Sequence, residues 1–392
     1  MTLQQVPKPQ TAPKRVTVLG STGSIGCNTV ELIADSAESY EVVALTARQN
    51  VSLLAQQARQ LDAELAVIAD PTRYGELKTA LEGTGIEAAA GEEALVDAAT
   101  RPADWVMAAI VGAAGLAPTL AAIRRGSVVG LANKECLVCA GDLMVAEIRK
   151  SGATLLPVDS EHNAIFQVFD MAQRTAVEKI TLTASGGPFR KFDRQAMSKV
   201  TPKQAVAHPN WEMGAKISVD SATMMNKGLE LIEAYHLFPV EKDQIEILVH
   251  PQSVIHSMVS YVDGSVLAQL GMPDMRTPIA YALGWPERIP APSPRLDLGA
   301  IGQLTFEAPD SERFPALKLA RQSLQSGGAA PTILNAANEV AVAGFLAGKI
   351  GFLDIARVVE ETLERLAAPE LHALEDVFEM DAAARRHASG LI

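Results

Sequence analysis

Asp159-Ser160-Glu161 follows the apolar run Thr154–Val158 directly. In extended chain, residues i and i+2 share a face, so both carboxylates can converge. They would do so at the carboxyl end of a strand, where α/β proteins bind ligands. Two carboxylates beside a hydroxyl suit a hard cation such as Mg²⁺ or Mn²⁺. The same residues also read as an acidic cap on a following helix. A third acid, Glu230, shares a polar strip with Asn226 and Lys227 at i, i+1 and i+4. That strip could be a solvated face with a Lys227–Glu230 pair at i,i+3. Met224, Met225, Leu229, Leu231 and Ile232 surround it, which argues for a site wall instead.

Phosphate chemistry is suggested twice. Gly20-Ser21-Thr22-Gly23-Ser24-Ile25-Gly26 follows a short apolar run and opens a helical pattern. The glycines permit a tight turn and close approach of a diphosphate, and a helix N-terminus offers it free N–H groups. An acid at the end of the second strand would hold a ribose 2′-hydroxyl. The chain reads Thr46-Ala47-Arg48-Gln49-Asn50 there, and Arg48 can meet a 2′-phosphate, which favours NADPH. The second place is Ser185-Gly186-Gly187-Pro188. A hydroxyl beside glycines at a strand end can take a phosphate, or the run is an ordinary Gly-Pro turn. In His208-Pro209-Asn210-Trp211-Glu212-Met213-Gly214, Trp211 and Met213 either cover a ligand or anchor the loop. His250 and His256 read as core or supporting residues.

These groups need a scaffold. Strand patterns at Arg15–Leu19, Glu41–Leu45, Glu64–Ala69, Trp105–Ile110, Ser127–Leu131 and Thr154–Val158 alternate with helical ones. That is the signature of a Rossmann-type, doubly wound α/β sheet over residues 1–158. Residues 159–285 read as an α+β catalytic domain. Its strands are Lys179–Ala184, Ile245–Val249, Ser257–Val262 and Val266–Leu270, with one helix from Ser221 to Leu237. The Gly- and Pro-punctuated stretch at about 185–216 is expected to be a mobile lid. Four prolines between Pro286 and Pro294 mark a linker over 286–309. From 310 to 392 the pattern predicts a C-terminal helical bundle, with Ile355, Val358, Val359, Leu363 and Leu366 at helical spacing and Asp354 as an N-cap.

Composition limits the partners. Lys plus Arg number 34 against 46 acids in 392 residues, a net charge of −12. Nucleic-acid and anionic-membrane surfaces want a basic face, so neither is an expected partner. Cys27, Cys136 and Cys139 cannot build a disulfide framework, and Cys136-x-x-Cys139 lacks further metal ligands at zinc spacing. Trp105–Ile123 carries no charge but reads as strand, Gly turn and helix rather than a membrane span. The polar N-terminus has no apolar signal region, so a cytoplasmic location is expected.

The Gly20–Gly26 loop, Leu131-Ala132-Asn133-Lys134-Glu135, Asp159-Ser160-Glu161-His162 and Ser185–Phe189 together resemble the 1-deoxy-D-xylulose 5-phosphate reductoisomerase family. So do His208–Glu230, His250–Ser257 and Gly271–Arg276, and the resemblance runs from about Arg15 to the C-terminus. It implies a homodimer that converts 1-deoxy-D-xylulose 5-phosphate to 2-C-methyl-D-erythritol 4-phosphate in the non-mevalonate route to isoprenoids. Skeletal rearrangement would precede hydride transfer from NADPH, with Mg²⁺ or Mn²⁺, or else Co²⁺, stabilising oxyanion charge. It assigns Asp159, Glu161 and Glu230 to the metal. Lys134, Ser160, Glu161, Ser185, His208, Ser221, Asn226 and Lys227 fall to the substrate, with Ser185, Ser221, Asn226 and Lys227 clamping the phosphate. Lys134, Glu161 and His208 stand as catalytic candidates. Thr22, Gly23, Ser24, Ile25, Asn50, Asn133, Glu135 and Gly214 fall to the cofactor, with Arg48 and Gln49 near its 2′-phosphate. The family often places a basic residue at position 49 after a small one; here the order is Arg48-Gln49, and Arg48 is expected to take that role. Two other readings are a Rossmann dehydrogenase of another small substrate, without a metal requirement, and a redox-sensing NADPH-binding protein indifferent to the three acids.

Overall fold

The computed structural model describes residues 12–207, 211 and 213–392. Seven parallel strands form the first sheet: β1 (Lys14–Leu19), β2 (Tyr40–Ala47), β3 (Leu65–Ile68), β4 (Glu87–Ala90), β5 (Trp105–Ala108), β6 (Val128–Leu131) and β7 (Thr154–Pro157). Their order is β4-β3-β2-β1-β5-β6-β7, so the chain winds outward from β1 in both directions. The switch point lies between β1 and β5, where such sheets bind ligands. The central strands are apolar on both faces because helices cover both. Strand β4 has no counterpart in the sequence reading. Glu87-Ala88-Ala89-Ala90 lacks β-branched and aromatic residues, and only pairing with β3 makes it a strand.

The second sheet has the order β11-β10-β8-β9, with β8 (Val177–Ala184), β9 (Ile245–Val249), β10 (Ile255–Tyr261) and β11 (Val266–Leu270). Strand β10 runs antiparallel to both neighbours, whereas β8 and β9 are parallel. The linker is tied to this sheet, because Glu307 pairs with Val249 at the β9 edge. Helices Ala316–Ser326, Ala330–Leu346, Asp354–Arg365 and Leu374–Ser389 form the C-terminal region. One apolar core runs from them through the second sheet to one face of the first.

Several expectations are corrected. Helix Arg276–Gly284, placed before the boundary at 285, packs on the first helix, Ser24–Ala34; Ile279 and Leu283 share a core with Val30 and Ile33. The single helix from Ser221 to Leu237 is two, Ala215–Thr223 and Met225–Leu237, broken where Met224 takes φ 65°. The stretch 185–216 is anchored at a few points, with Phe189, Met197, Val200 and Ala205 buried among mostly exposed or half-buried residues, and Phe189 meets Phe352 edge-on with centroids 5.1 Å apart. Asp354 begins its helix rather than capping it, and accepts from the Gly351 N–H instead. Trp105–Ile123 is strand, turn and helix as expected, and no helix among the described residues is long and apolar enough to cross a membrane.

Candidate active site

Asp159 caps helix Ser160–Val168, its Oδ1 accepting from the Glu161 N–H at 3.2 Å. The carboxylates of Asp159 and Glu161 therefore converge as cap and first turn, not as alternate residues of an extended strand. The helix-cap reading of this motif holds, and the cap itself brings the two carboxylates together. Helix Met225–Leu237 brings Glu230 to them across the chain, and one ligand atom from each acid lies within 4.8 Å of the others. All three donors are hard oxygens and fit a hard divalent cation.

Two lysines neutralise this cluster. Lys134 Nζ lies 2.9 Å from Asp159 Oδ2, 2.8 Å from Asn226 Oδ1 and 3.3 Å from Glu230 Oε1. Lys227 Nζ lies 3.0 Å from Glu161 Oε1 and also binds Glu230 Oε2. Glu230 is 1% exposed. Burial, then the like charges of Asp159 and Glu161, push its carboxyl above the ordinary value against the pull of Lys227 and Lys134. Burial works the same way on Asp159, but the Lys134 ammonium, His162 and Lys227 outweigh it and hold that carboxyl well below the usual range. Burial would lower both lysines, yet the surrounding carboxylates keep each raised. Behind the cluster sits a pair that sequence reading missed. His162 Nε2 donates to the Glu230 carbonyl at 2.9 Å, and His162 Nδ1 lies 3.1 Å from Glu233 Oε2. Glu233 stands three residues after Glu230 on the same helix face, which was its only sequence signal.

The phosphate candidates meet beside the acids. Ser185 follows the last residue of β8, and Gly186 and Gly187 turn the chain with φ of 81° and 68°. A Cβ on Gly187 would stand 2.6 Å from the Ser221 carbonyl oxygen. Only glycine lets this turn reach helix Ala215–Thr223 so closely. Ser185, Ser221, Asn226 and Lys227 thus line one cavity of about 490 Å³ together with Lys134, Ser160 and the three acids. Trp211 and Met213 line it from the lid side, and Trp211 lies 6.2 Å from the His256 ring. His208 falls outside the described residues. His250 is structural: it accepts from the Val254 N–H through Nε2, so Nδ1 donates to the Thr305 carbonyl.

Ser24, Ile25, Glu135 and Gly214 line the same cavity. Thr22 and Gly23 belong to the loop leading into it. At Gly26 a Cβ would lie 2.2 Å from the Gly20 carbonyl oxygen, so the loop closes only on glycine. Gly23 caps helix Ser24–Ala34 without a side-chain bond, leaving N–H groups for an anion. Arg48, Gln49 and Asn50 do not line the cavity; they follow β2 on the same sheet edge. Arg48 makes no ion pair among the described residues, Gln49 donates to Asp70 (3.2 Å), and Asn50 caps helix Val51–Gln60. Asn133 holds the Ile110–Gly112 loop through its amide, 3.0 Å from the Gly112 carbonyl. Cys136 and Cys139 are buried and free, and burial pushes the Cys136 thiol up to about 12.

A glycine-rich loop at the switch point and a carboxylate cluster meet in one cavity, which defines a dinucleotide-dependent oxidoreductase that works with a divalent cation. Comparison with known proteins specifies the family. Residues 16–141 match the profile of 1-deoxy-D-xylulose 5-phosphate reductoisomerase, residues 155–238 its C-terminal domain, and residues 270–387 the DXP reductoisomerase C-terminal domain. A 1-deoxy-D-xylulose 5-phosphate reductoisomerase of Rhodospirillum centenum is 68% identical over 379 residues, covering 97% of this chain and 94% of that one. The reductoisomerase structure from Zymomonas mobilis in complex with NADPH matches with a TM-score of 0.93 and 59% identity, over 97% and 99% of the two chains. A DOX-P reductoisomerase in complex with NADPH, fosmidomycin and magnesium matches with a TM-score of 0.91 and 45% identity, over 96% and 98%. The chain belongs to the 1-deoxy-D-xylulose 5-phosphate reductoisomerase family.

Proposed function

We propose that this chain converts 1-deoxy-D-xylulose 5-phosphate to 2-C-methyl-D-erythritol 4-phosphate, oxidising NADPH and requiring a divalent cation. The observation that carries this is the single cavity joining the glycine loop, the Asp159–Glu161–Glu230 cluster and the Ser185–Ser221 seat. When bound, the cation supplies Lewis-acid stabilisation of oxygen charge, and NADPH supplies the hydride. Asp159, Glu161 and Glu230 are the ligands that would hold the cation. Arg48 and the free N–H groups of helix Ser24–Ala34 would hold the cofactor's phosphates, with Glu135, Asn133 and Gly214 toward its other end.

Lys134 touches two of the three acids and Asn226, so its ammonium is positioned to donate a hydrogen bond or a proton to a substrate oxygen beside them. Ser160 donates to Glu161 Oε2 at 2.6 Å and orients that carboxylate. Ser185, Ser221, Asn226 and Lys227 would grip the substrate phosphate. That binding energy lies away from the reacting carbons and orients them. Trp211 and Met213 would cover the substrate and exclude water.

The protein is further proposed to act as a cytoplasmic homodimer. Strand β11 is a free sheet edge carrying Val266 and Leu267, 55% and 48% exposed. Such an edge calls for cover, and a second copy supplies it symmetrically. Mixing protein, NADPH and 1-deoxy-D-xylulose 5-phosphate with and without Mg²⁺ tests the activity. Loss of NADPH absorbance that a chelator abolishes is expected; no oxidation under either condition would remove the reading.

A further inference from the structure

Lys216 is the second residue of helix Ala215–Thr223, where the helix dipole disfavours a cation. It is held there by two acids. Its Nζ lies 2.9 Å from Asp220 Oδ2, one turn on, and 3.5 Å from Glu135 Oε1. Glu135 and Asp220 are 5% and 1% exposed, and a buried carboxylate is costly without a charged or hydrogen-bonding partner. Asp220 has a second one: Asn338 Nδ2 donates to its Oδ1 at 2.8 Å. Asn338 belongs to helix Ala330–Leu346 of the C-terminal region and is fully buried. Its own Oδ1 has no hydrogen-bond partner among the described residues. Keeping such an amide in an apolar helix is costly, and its side chain's one hydrogen bond among the described residues is to Asp220.

Burial alone would lower the Lys216 ammonium, but Asp220 and Glu135 outweigh it and hold it raised. Glu339 adds to the same field, though it is itself paired with Arg385 at 2.6 Å. Glu135, Lys216 and Asp220 line the same cavity as Ser24 and Ile25. The dyad also begins at Gly214, the N-cap of its helix.

We propose that Lys216 and Asp220 are positioning residues for the nicotinamide cofactor, and that Asn338 makes the C-terminal helical region part of that site. Lys216 holds the buried Glu135 carboxylate in place toward a ribose hydroxyl of the cofactor. Asp220 fixes Lys216, and Asn338 fixes Asp220. The proposal rests on the reading of Glu135 as a cofactor contact.

The test measures NADPH affinity without substrate, from nicotinamide emission, for Glu135→Gln, Lys216→Met, Lys216→Arg and Asn338→Leu. Melting temperature and Mn²⁺ affinity are measured alongside. Lys216→Met is expected to raise the Kd for NADPH about tenfold and Asn338→Leu about threefold, with Mn²⁺ affinity unchanged. Lys216→Arg should restore most of the loss, and in turnover KM for NADPH should rise more than kcat falls. A merely structural tie would lower the melting temperature and leave the Kd of the folded protein alone. Wild-type Kd in Lys216→Met and Asn338→Leu, with a weakened Glu135→Gln, would overturn the relay while sparing Glu135. Wild-type Kd in Glu135→Gln would overturn both. Asn338→Ser decides by the same criterion if the larger changes fail to fold.

Discussion

Glu230 shows how much one buried carboxylate is asked to do. It is 1% exposed, faces two other acids, and is held by Lys134, Lys227 and Asn226. Glu230→Gln keeps its shape and removes its charge. Turnover should fall on the order of 100-fold or more, Mg²⁺ should bind more weakly, and NADPH affinity should survive. Wild-type turnover in that variant would remove Glu230 from the ligand set. His256 makes a different prediction. Burial and then the Lys227 charge push its imidazole down to about 4. The unfolded chain accepts that proton near pH 6.5 and the folded one resists it. Stability from this group is complete above about pH 6.5 and is lost as pH falls toward 4, by up to about 3 kcal/mol. Urea unfolding between pH 7 and 5 should therefore lose stability faster in the wild type than in His256→Gln. Equal slopes would clear His256 of the acid sensitivity.

Turns and helix ends set the site's geometry more than the elements' interiors do. Asp159 serves as helix cap and site acid together, so its carboxylate is fixed by the helix it starts. The break at Met224 separates Ser221, on one helix, from Asn226 and Lys227, on the next, and both helices face the same cavity. The Gly186-Gly187 turn seats Ser185 against the first of these. Gly187→Ala puts a Cβ 2.6 Å from the Ser221 carbonyl oxygen at a φ of 68°. It should cost about 1–3 kcal/mol of stability and raise KM for the phosphorylated substrate, read by urea melts and steady-state kinetics. A KM equal to wild type would separate this turn from phosphate binding.

At the scale of the molecule, the C-terminal helices do more than cap the fold. Thr332 binds the Cys139 carbonyl at 2.9 Å and Asn338 binds Asp220, so helix Ala330–Leu346 braces both the helix carrying Glu135 and the one carrying Ser221. The outer edge, β11, points the other way, with exposed Val266 and Leu267. If the proposed dimer pairs through this edge, Leu267→Lys should yield a monomer in analytical ultracentrifugation where the wild type sediments as a dimer, because an edge lysine resists strand pairing. An unchanged sedimentation coefficient would place the interface elsewhere.

The sequence by itself determined the parallel sheet, its glycine loop and the chemical identity of the three acids. These are local signals: apolar runs of strand length, glycines where the backbone crowds, and carboxylates at an element's end. It also pointed to Lys134, Ser185 and Lys227, through motifs long enough to be specific. Only the tertiary structure decided what touches what. β4 exists because β3 offers it an edge, and the helix at 276–284 finds its partner some 250 residues back. The convergence of Glu230 on Asp159, and the linkage of Asn338 to Asp220 over 118 residues, depend on packing between distant elements. Residue spacing along the chain carries no record of such contacts.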